Sequence, residues 1–336
     1  MSKILKDTFV GLGKVGSYLA KGYMLKKEDG ARFATKSEEG DIFHRRNRGL
    51  IVDGINKRLS EKDSFEHIAI IAPPGKGKST GYIRPNIYDK SVQNCSMVIT
   101  DPSGELYGDT SQQLRDKGFE VLTLRPDDLS VSCKFNPFHG LDARDIIEIE
   151  QICTSIVLSK YGSDKEGIWN DGAISLLEVF AKCLAYSMPD YLNLPNINYL
   201  AQMFGADGGD LDDWVMDNSV NPYDSSDSSI ADSWMGIVSC NEKMLSSYST
   251  IVKTALKQLN NREVQKLLSV DDIDLQSFRK RKTAIYLVIP ENQGKYYQFL
   301  VDIFYSRFFS VMMDHKPVHG ELDVYCFLDE FGNSYI

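Results

Sequence analysis

Apolar residues follow two different rhythms along this chain. Before residue 145 and after 280, short apolar runs end at turn residues. Residues 67–72 (HIAIIA), 96–100 (SMVIT), 120–124, 283–289 (TAIYLVI) and 323–328 (DVYCFL) predict strands. Between them, helices are expected from near Lys78, over 106–117 with Gly118 as the stop, and over 295–313. Strands alternating with helices at this spacing imply a parallel sheet covered on both faces. Residues 145–265 read differently. Apolar positions at helical spacing mark 146–158, 173–185 and 241–268, and no strand interrupts them; the Gly, Asp and Ser clusters of 205–233 predict a long loop. The expected fold is α/β, a mostly parallel sheet interrupted in sequence by an all-α domain. Its parts are a helix and loop-rich lead-in over 1–60, a sheet domain from 61–144 and 280–336, and a helical insertion over 145–279.

Composition narrows the class. In 336 residues, 42% hydrophobic and 25% charged content is that of an ordinary globular protein with room for two or three cores. The net charge of −9 does not advertise a phosphate-reading surface. Charge is uneven: residues 1–50 carry 11 Lys/Arg against 6 Asp/Glu, whereas 201–240 carry eight Asp and no Lys or Arg. Such blocks usually mark solvated faces. Six cysteines without a CxxC pair read as reduced, mostly buried thiols of a cytosolic protein. No apolar run is long enough to span a membrane, and the basic N-terminal stretch, broken by Lys6, Asp7 and Lys14, is an amphipathic helix, not a signal peptide. Such a helix can rest on an anionic membrane surface, but more often packs on its own domain or a partner.

The chemistry concentrates at residues 72–79, APPGKGKS, which fit [A/G]-x-x-x-x-G-K-[S/T] between an expected strand and an expected helix. A phosphate chain needs converging backbone N–H groups. Gly75 and Gly77 let the chain curl without a Cβ in the way, and Pro74, Lys76 and Thr80 complete the loop. The helix N-terminus adds partial positive charge. Lys78 is placed to reach the β- and γ-phosphates of ATP, and the Ser79 hydroxyl to bind Mg²⁺. A metal also needs a carboxylate and a water needs a base. The last strand ends in Asp329-Glu330, which supply a second Mg²⁺ ligand and a group to polarise the attacking water. Lys78 and Asp329 are therefore expected to meet around one magnesium-bound triphosphate, and the sheet domain is the nucleotide-binding domain.

Other candidates read as structure. Pro317 spoils a helical His315/His319 metal pair, the aromatic stripe over 296–309 has core-facing spacing, and the Asp-rich stretch over 207–217 lacks a calcium-loop pattern.

From about residue 30 onward the chain resembles the type IV secretion coupling proteins, the TraG/TraD-type conjugation ATPases. The resemblance rests on APPGKGKSTGYIRPN (72–86), on ITDPSGELYGDTSQQLRDKGFEVLTLRP (99–126) followed by FNPF (135–138), and on FLDEFGN (327–333). ARFAT (31–35) and Trp169-Asn170 add to it. It implies a RecA-like motor domain interrupted by an all-helical domain, and ring oligomers with six subunits as the expected number. It also implies a place at the inner face of the cell membrane, coupling relaxosome or single-stranded DNA and secreted protein substrates to the channel proteins. Asp101 matches a family position near the nucleotide, whereas Ser103 stands where the family usually has Lys. The family's N-terminal transmembrane helices and the part following its DEF motif have no counterpart here, so a truncated form that binds nucleotide but hydrolyses it poorly is expected. Two alternatives are a non-hydrolysing substrate-docking module and a DNA-translocating ATPase of the cell-division class; the FNPF and DPSGE stretches argue against the latter.

Overall fold

Four apolar runs rich in β-branched and aromatic residues form one parallel sheet: β1 (Cys95–Thr100), β2 (Glu120–Leu124), β3 (Thr283–Leu287) and β4 (Asp323–Leu328), in the order β2-β3-β1-β4. The structure is a computed structural model that describes residues 35–73, 75–161, 167–205 and 208–329. The expected amphipathic N-terminal helix and most of ARFAT lie outside the described residues. The chain divides into two compact units, 1–90 and 91–336.

In the first unit, α1 (Lys36–Ile42) opens with a capping box: the Thr35 hydroxyl accepts from the Glu38 N–H, and the Glu38 carboxylate accepts from the Thr35 N–H at 2.7 Å. An antiparallel bridge pairs Ile51 with Arg58. Residues 67–72, expected as the first strand, join no described sheet, and Ile71 is 94% exposed. An apolar run forms a strand only where a partner edge satisfies its backbone, and the isolated bridge offers none. After the loop, Ser79–Ile83 winds as one π turn before α2 (Arg84–Lys90). Pro85 explains this turn: it cannot donate to the carbonyl four residues back, and the wider winding absorbs the mismatch, with Arg84 N–H donating to Ser79 O.

The helices of the second unit are α3 (Glu105–Asp116), α4 (Ile146–Tyr161), α5 (Gly167–Ser187), α6 (Leu194–Met203), α7 (Asp212–Asn218), α8 (Ser229–Val238), α9 (Glu242–Ala255), α10 (Arg262–Leu267) and α11 (Gly294–Met313). Strand side chains alternate between faces, which puts α3 and α11 on opposite sides of the sheet. Tyr286 reaches Thr110 of α3 and Thr100 reaches Tyr305 of α11, each at 2.6 Å between hydroxyl oxygens. The aromatic stripe of α11 buries Tyr297, Phe304, Tyr305 and Phe308, as its spacing predicts, while Tyr296 stays partly exposed.

All of α4 to α10 fall between β2 and β3 in the chain. The 21-residue α5 is the axis of these helices, touching α4, α6, α7, α8 and α9. One expectation fails: 205–233 is not a single long loop, because it contains α7 and the start of α8. Val215, Ile230, Trp234 and Ile237 are buried at helical spacing and anchor both helices on α5. The Asp, Ser and Gly residues between those anchors hid the pattern. The FNPF motif is a knot at the root of the insertion. Phe135 and Phe138 are buried, Phe135 N–H donates to Leu267 O at 2.8 Å, and Asn136 N–H donates to Asp271 Oδ1 at 3.0 Å. The chain leaving the sheet is thereby tied to the chain returning to it.

Candidate functional site

The phosphate loop of the first unit has the backbone its sequence requires. Gly75 and Gly77 have φ of 69° and 83°, in the left-handed region where any side chain is strained. A Cβ on Gly77 would also meet the Thr80 hydroxyl at 3.3 Å. The loop closes on itself: Lys76 N–H donates to Pro73 O, and Gly81 N–H to Gly77 O at 2.6 Å. Lys78 stands immediately before the π turn, with its ammonium donating to Ala72 O at 3.4 Å. Ser79 and Lys78 are half-buried; Gly75, Lys76 and Thr80 are exposed. Pro74 lies outside the described residues.

Asn86, part of the family-like stretch, holds this loop's helix to the lead-in. It is fully buried; its amide nitrogen donates to Ile51 O at 2.8 Å and Tyr82 O at 2.9 Å, and its oxygen accepts from Ile51 N–H at 2.7 Å. Arg58 grips Asp89 of α2 through both guanidinium nitrogens at 2.8 and 2.6 Å, and this pairing holds the Asp89 carboxyl below the usual carboxylate range against the opposing effect of burial. Lys90, fully buried, donates to Arg48 O at 2.7 Å. No spacing rule would have found these pairs, since each joins residues more than 30 apart in sequence.

The carboxylates belong to the second unit. β1 and β4 run parallel and adjacent, and Thr100 pairs with Leu328. Asp101 and Asp329 each directly follow that pair, so two buried carboxylates stand side by side at the carboxyl ends of the strands. The Asp101 oxygens are turned to the start of α3, accepting from Tyr107 N–H at 2.7 Å and the Ser103 hydroxyl at 3.3 Å. Burial pushes the Asp101 carboxyl up despite those donors. Its geometry is that of a side chain holding a helix start, and Ser103 completes this turn where the family usually has Lys. Glu330 lies outside the described residues.

His315 is exposed and contacts Glu321 at 3.0 Å, and among the described residues no group of three or more His, Cys, Asp or Glu could hold a metal. All six cysteines are free; Cys95, Cys153 and Cys183 are buried. No described helix is long and apolar enough to cross a membrane.

The first unit thus holds a glycine-bent loop feeding a helix that begins with Lys78 and Ser79, and the second, by itself, a carboxylate at a strand's carboxyl end. The family model described as type IV secretory system conjugative DNA transfer matches residues 26–334. Plasmid coupling protein TrwB solved with the non-hydrolysable ATP analogue ADPNP is 17% identical, with a TM-score of 0.64 over 90% of this chain and 65% of that one. TrwB with ADP and Mg²⁺ is 15% identical with a TM-score of 0.65, and an unbound monoclinic form of TrwBdeltaN70 is 16% identical with a TM-score of 0.65. This chain spans 65% of the length of the first of these structures and 63% of the last. No curated protein sequence matches it. At such identities the structural likeness carries the fold, which is α/β, RecA-like and of the P-loop class. The family match carries the rest: the chain belongs to the type IV secretory system conjugative DNA transfer family.

Proposed function

We propose that this chain is the nucleotide-binding part of a coupling protein that uses ATP to link DNA or protein substrates to a type IV transfer channel. The observation that supports it best is the loop at 75–79, whose two left-handed glycines and helix-opening Lys78-Ser79 make a phosphate cradle, in a chain matched by the family model from 26 to 334. Backbone N–H groups of the loop and the Lys78 ammonium would hold the β- and γ-phosphates. Ser79 and Asp329 would hold Mg²⁺, and Glu330 would polarise the attacking water. The bound Mg²⁺ neutralises charge on the phosphates. Asp101, already committed to the start of α3, would position the neighbouring strand end and leave the metal to Asp329. A place at the inner face of the membrane, in a ring of subunits, belongs to the same reading.

A melting titration tests the binding step. Ligand that binds only the native state stabilises it by about 2.7 kcal/mol at a hundred times its Kd. Mg²⁺-ATP should therefore raise the Tm of the chain, and Lys78→Ala should abolish that rise. An equal rise in the variant would sink the assignment. Steady-state hydrolysis with and without single-stranded DNA then reads out motor activity.

A further inference from the structure

Four consecutive residues of α11 serve different parts of the second unit. The Phe304 ring meets Phe135 of the FNPF knot edge-on, with 5.3 Å between centroids. The Tyr305 hydroxyl shares a 2.6 Å hydrogen bond with Thr100, the residue before Asp101 and the register partner of Leu328. The Ser306 hydroxyl lies 2.9 Å from that of Ser155 on α4. Arg307 follows Phe304 by three residues and so falls on the same side of the helix, toward the root of the insertion. It is only 8% exposed, yet among the described residues its guanidinium makes no hydrogen bond and no ion pair. Burial pushes its pKa down, while the carboxylates of Glu148, Asp145 and Asp271 push it back up. Asp145 and Glu148 stand at the start of α4, on the stem leaving the sheet, and Asp271 stands on the returning stem. Two of the three are already engaged: Asp145 accepts from Asp142 N–H and Asp271 from Asn136 N–H, each at 3.0 Å. Glu148 is half-buried and, among the described residues, has no hydrogen bond or ion pair.

A buried guanidinium and a half-buried carboxylate that act on each other without touching form an unfinished ion pair. A buried charge without its partner is costly, so the same two groups favour a second arrangement in which Arg307 closes on Glu148. A small rotation of the insertion about the FNPF knot moves α4 against α11 and leaves the sheet intact. We infer that Arg307 is a positioning residue, a latch that closes on Glu148 and couples Mg²⁺-ATP at the strand ends to the setting of the helical insertion. The coupling runs along α11: the Tyr305 hydroxyl holds the end of β1 beside Asp101 and Asp329, and Arg307, two residues on, meets the stems of the insertion. This rests on the nucleotide reading above and deepens it by naming how the site reaches the insertion. The closed latch belongs to the nucleotide-binding arrangement. By reciprocity, opening it weakens Mg²⁺-ATP binding by the factor with which Mg²⁺-ATP favours closing.

Arg307→Met, Glu148→Gln and the double variant form a cycle in the full chain, read first without nucleotide by hydrogen exchange over 142–153 and 268–276. Each single variant should speed exchange there, and the double variant should behave as either single one, departing from the product of their effects by about threefold or more. Arg307→Lys, which keeps the charge, should recover most of the protection. Multiplicative effects, no effect, or an Arg307→Lys variant that exchanges like Arg307→Met overturns the latch. The same variants are then titrated with Mg²⁺-ATP. Both single variants and the double should raise its Kd by about fivefold or more, and Arg307→Lys by less. An unchanged Kd in Arg307→Met or Glu148→Gln overturns the coupling. If Mg²⁺-ATP leaves the Tm of the unaltered chain where it was, the nucleotide reading fails, and the exchange cycle still decides whether Arg307 and Glu148 close on each other.

Discussion

Replacing Asn86 with alanine removes the side chain that serves both main-chain groups of Ile51. Ile51 is 5% exposed, its N–H donates to Asn86 Oδ1 and its carbonyl accepts from Asn86 Nδ2, and a third bond to Tyr82 O is lost as well. Each buried polar group left without a partner costs about 1–3 kcal/mol. Two such groups give roughly 3 kcal/mol as a central figure, or on the order of a hundredfold in the local opening equilibrium. Global unfolding is a poor readout, because the three tryptophans all lie in the second unit at Trp169, Trp214 and Trp234. Hydrogen exchange by mass spectrometry reads the segment directly. Peptides over 47–60 should exchange about a hundredfold faster in Asn86→Ala, while those over β1 and β3 stay unchanged. Asn86→Asp, which keeps the acceptor and loses the donors, should fall between. Acceleration below about fivefold, which is about 1 kcal/mol, would refute the assignment of Asn86 as the bolt between lead-in and phosphate helix.

Further expectations follow from packing and charge. A Cβ on Gly172 would lie 2.2 Å from the Tyr248 ring, so Gly172→Ala must separate α5 from α9 and should cost about 1–3 kcal/mol, read as a lower urea midpoint by tryptophan emission. Burial raises Asp271 and Asp302 to about 6, against about 3.9 for an unfolded aspartate. The native state therefore holds more protons between those values, and stability falls as pH rises from about 4 to about 6. Urea midpoints at pH 4.5 and 6.5 should show that fall, and Asp271→Asn with Asp302→Asn should shrink it; an unchanged slope would remove both residues from the explanation. Asp212→Ala leaves the Trp234 indole N–H without its acceptor and should cost about 1–2 kcal/mol by the same assay, with a shifted emission maximum.

Much of this architecture is written locally. The β-branched and aromatic runs at 96–100, 120–124 and 323–328 became strands within a residue of where their pattern ends, because each is short, apolar and bounded by turn residues. The segment at 67–72 has the same pattern without the same result, which shows that pattern supplies propensity while a neighbouring edge supplies the strand. Helices α7 and α8 were masked by their own surface, since acidic and small residues on an outward face look like a loop when the buried anchors are few. At the candidate site, the glycines, Lys78 and the strand-end Asp329 could be read from motif chemistry. That Asp101 and Asp329 share a register could not, because 228 positions separate them and only sheet order brings them together.

We propose that Lys78 and Asp329 serve one Mg²⁺-ATP. A double-mutant cycle on nucleotide affinity tests it, with Lys78→Ala, Asp329→Asn and the double variant titrated with Mg²⁺-ATP and with ATP in EDTA. If both side chains act on one ligand, Asp329→Asn weakens binding only when magnesium is present, and the double variant binds much as Lys78→Ala alone, with a coupling energy of about 1 kcal/mol or more. Additive losses, or an Asp329→Asn effect that persists unchanged in EDTA, would contradict the account.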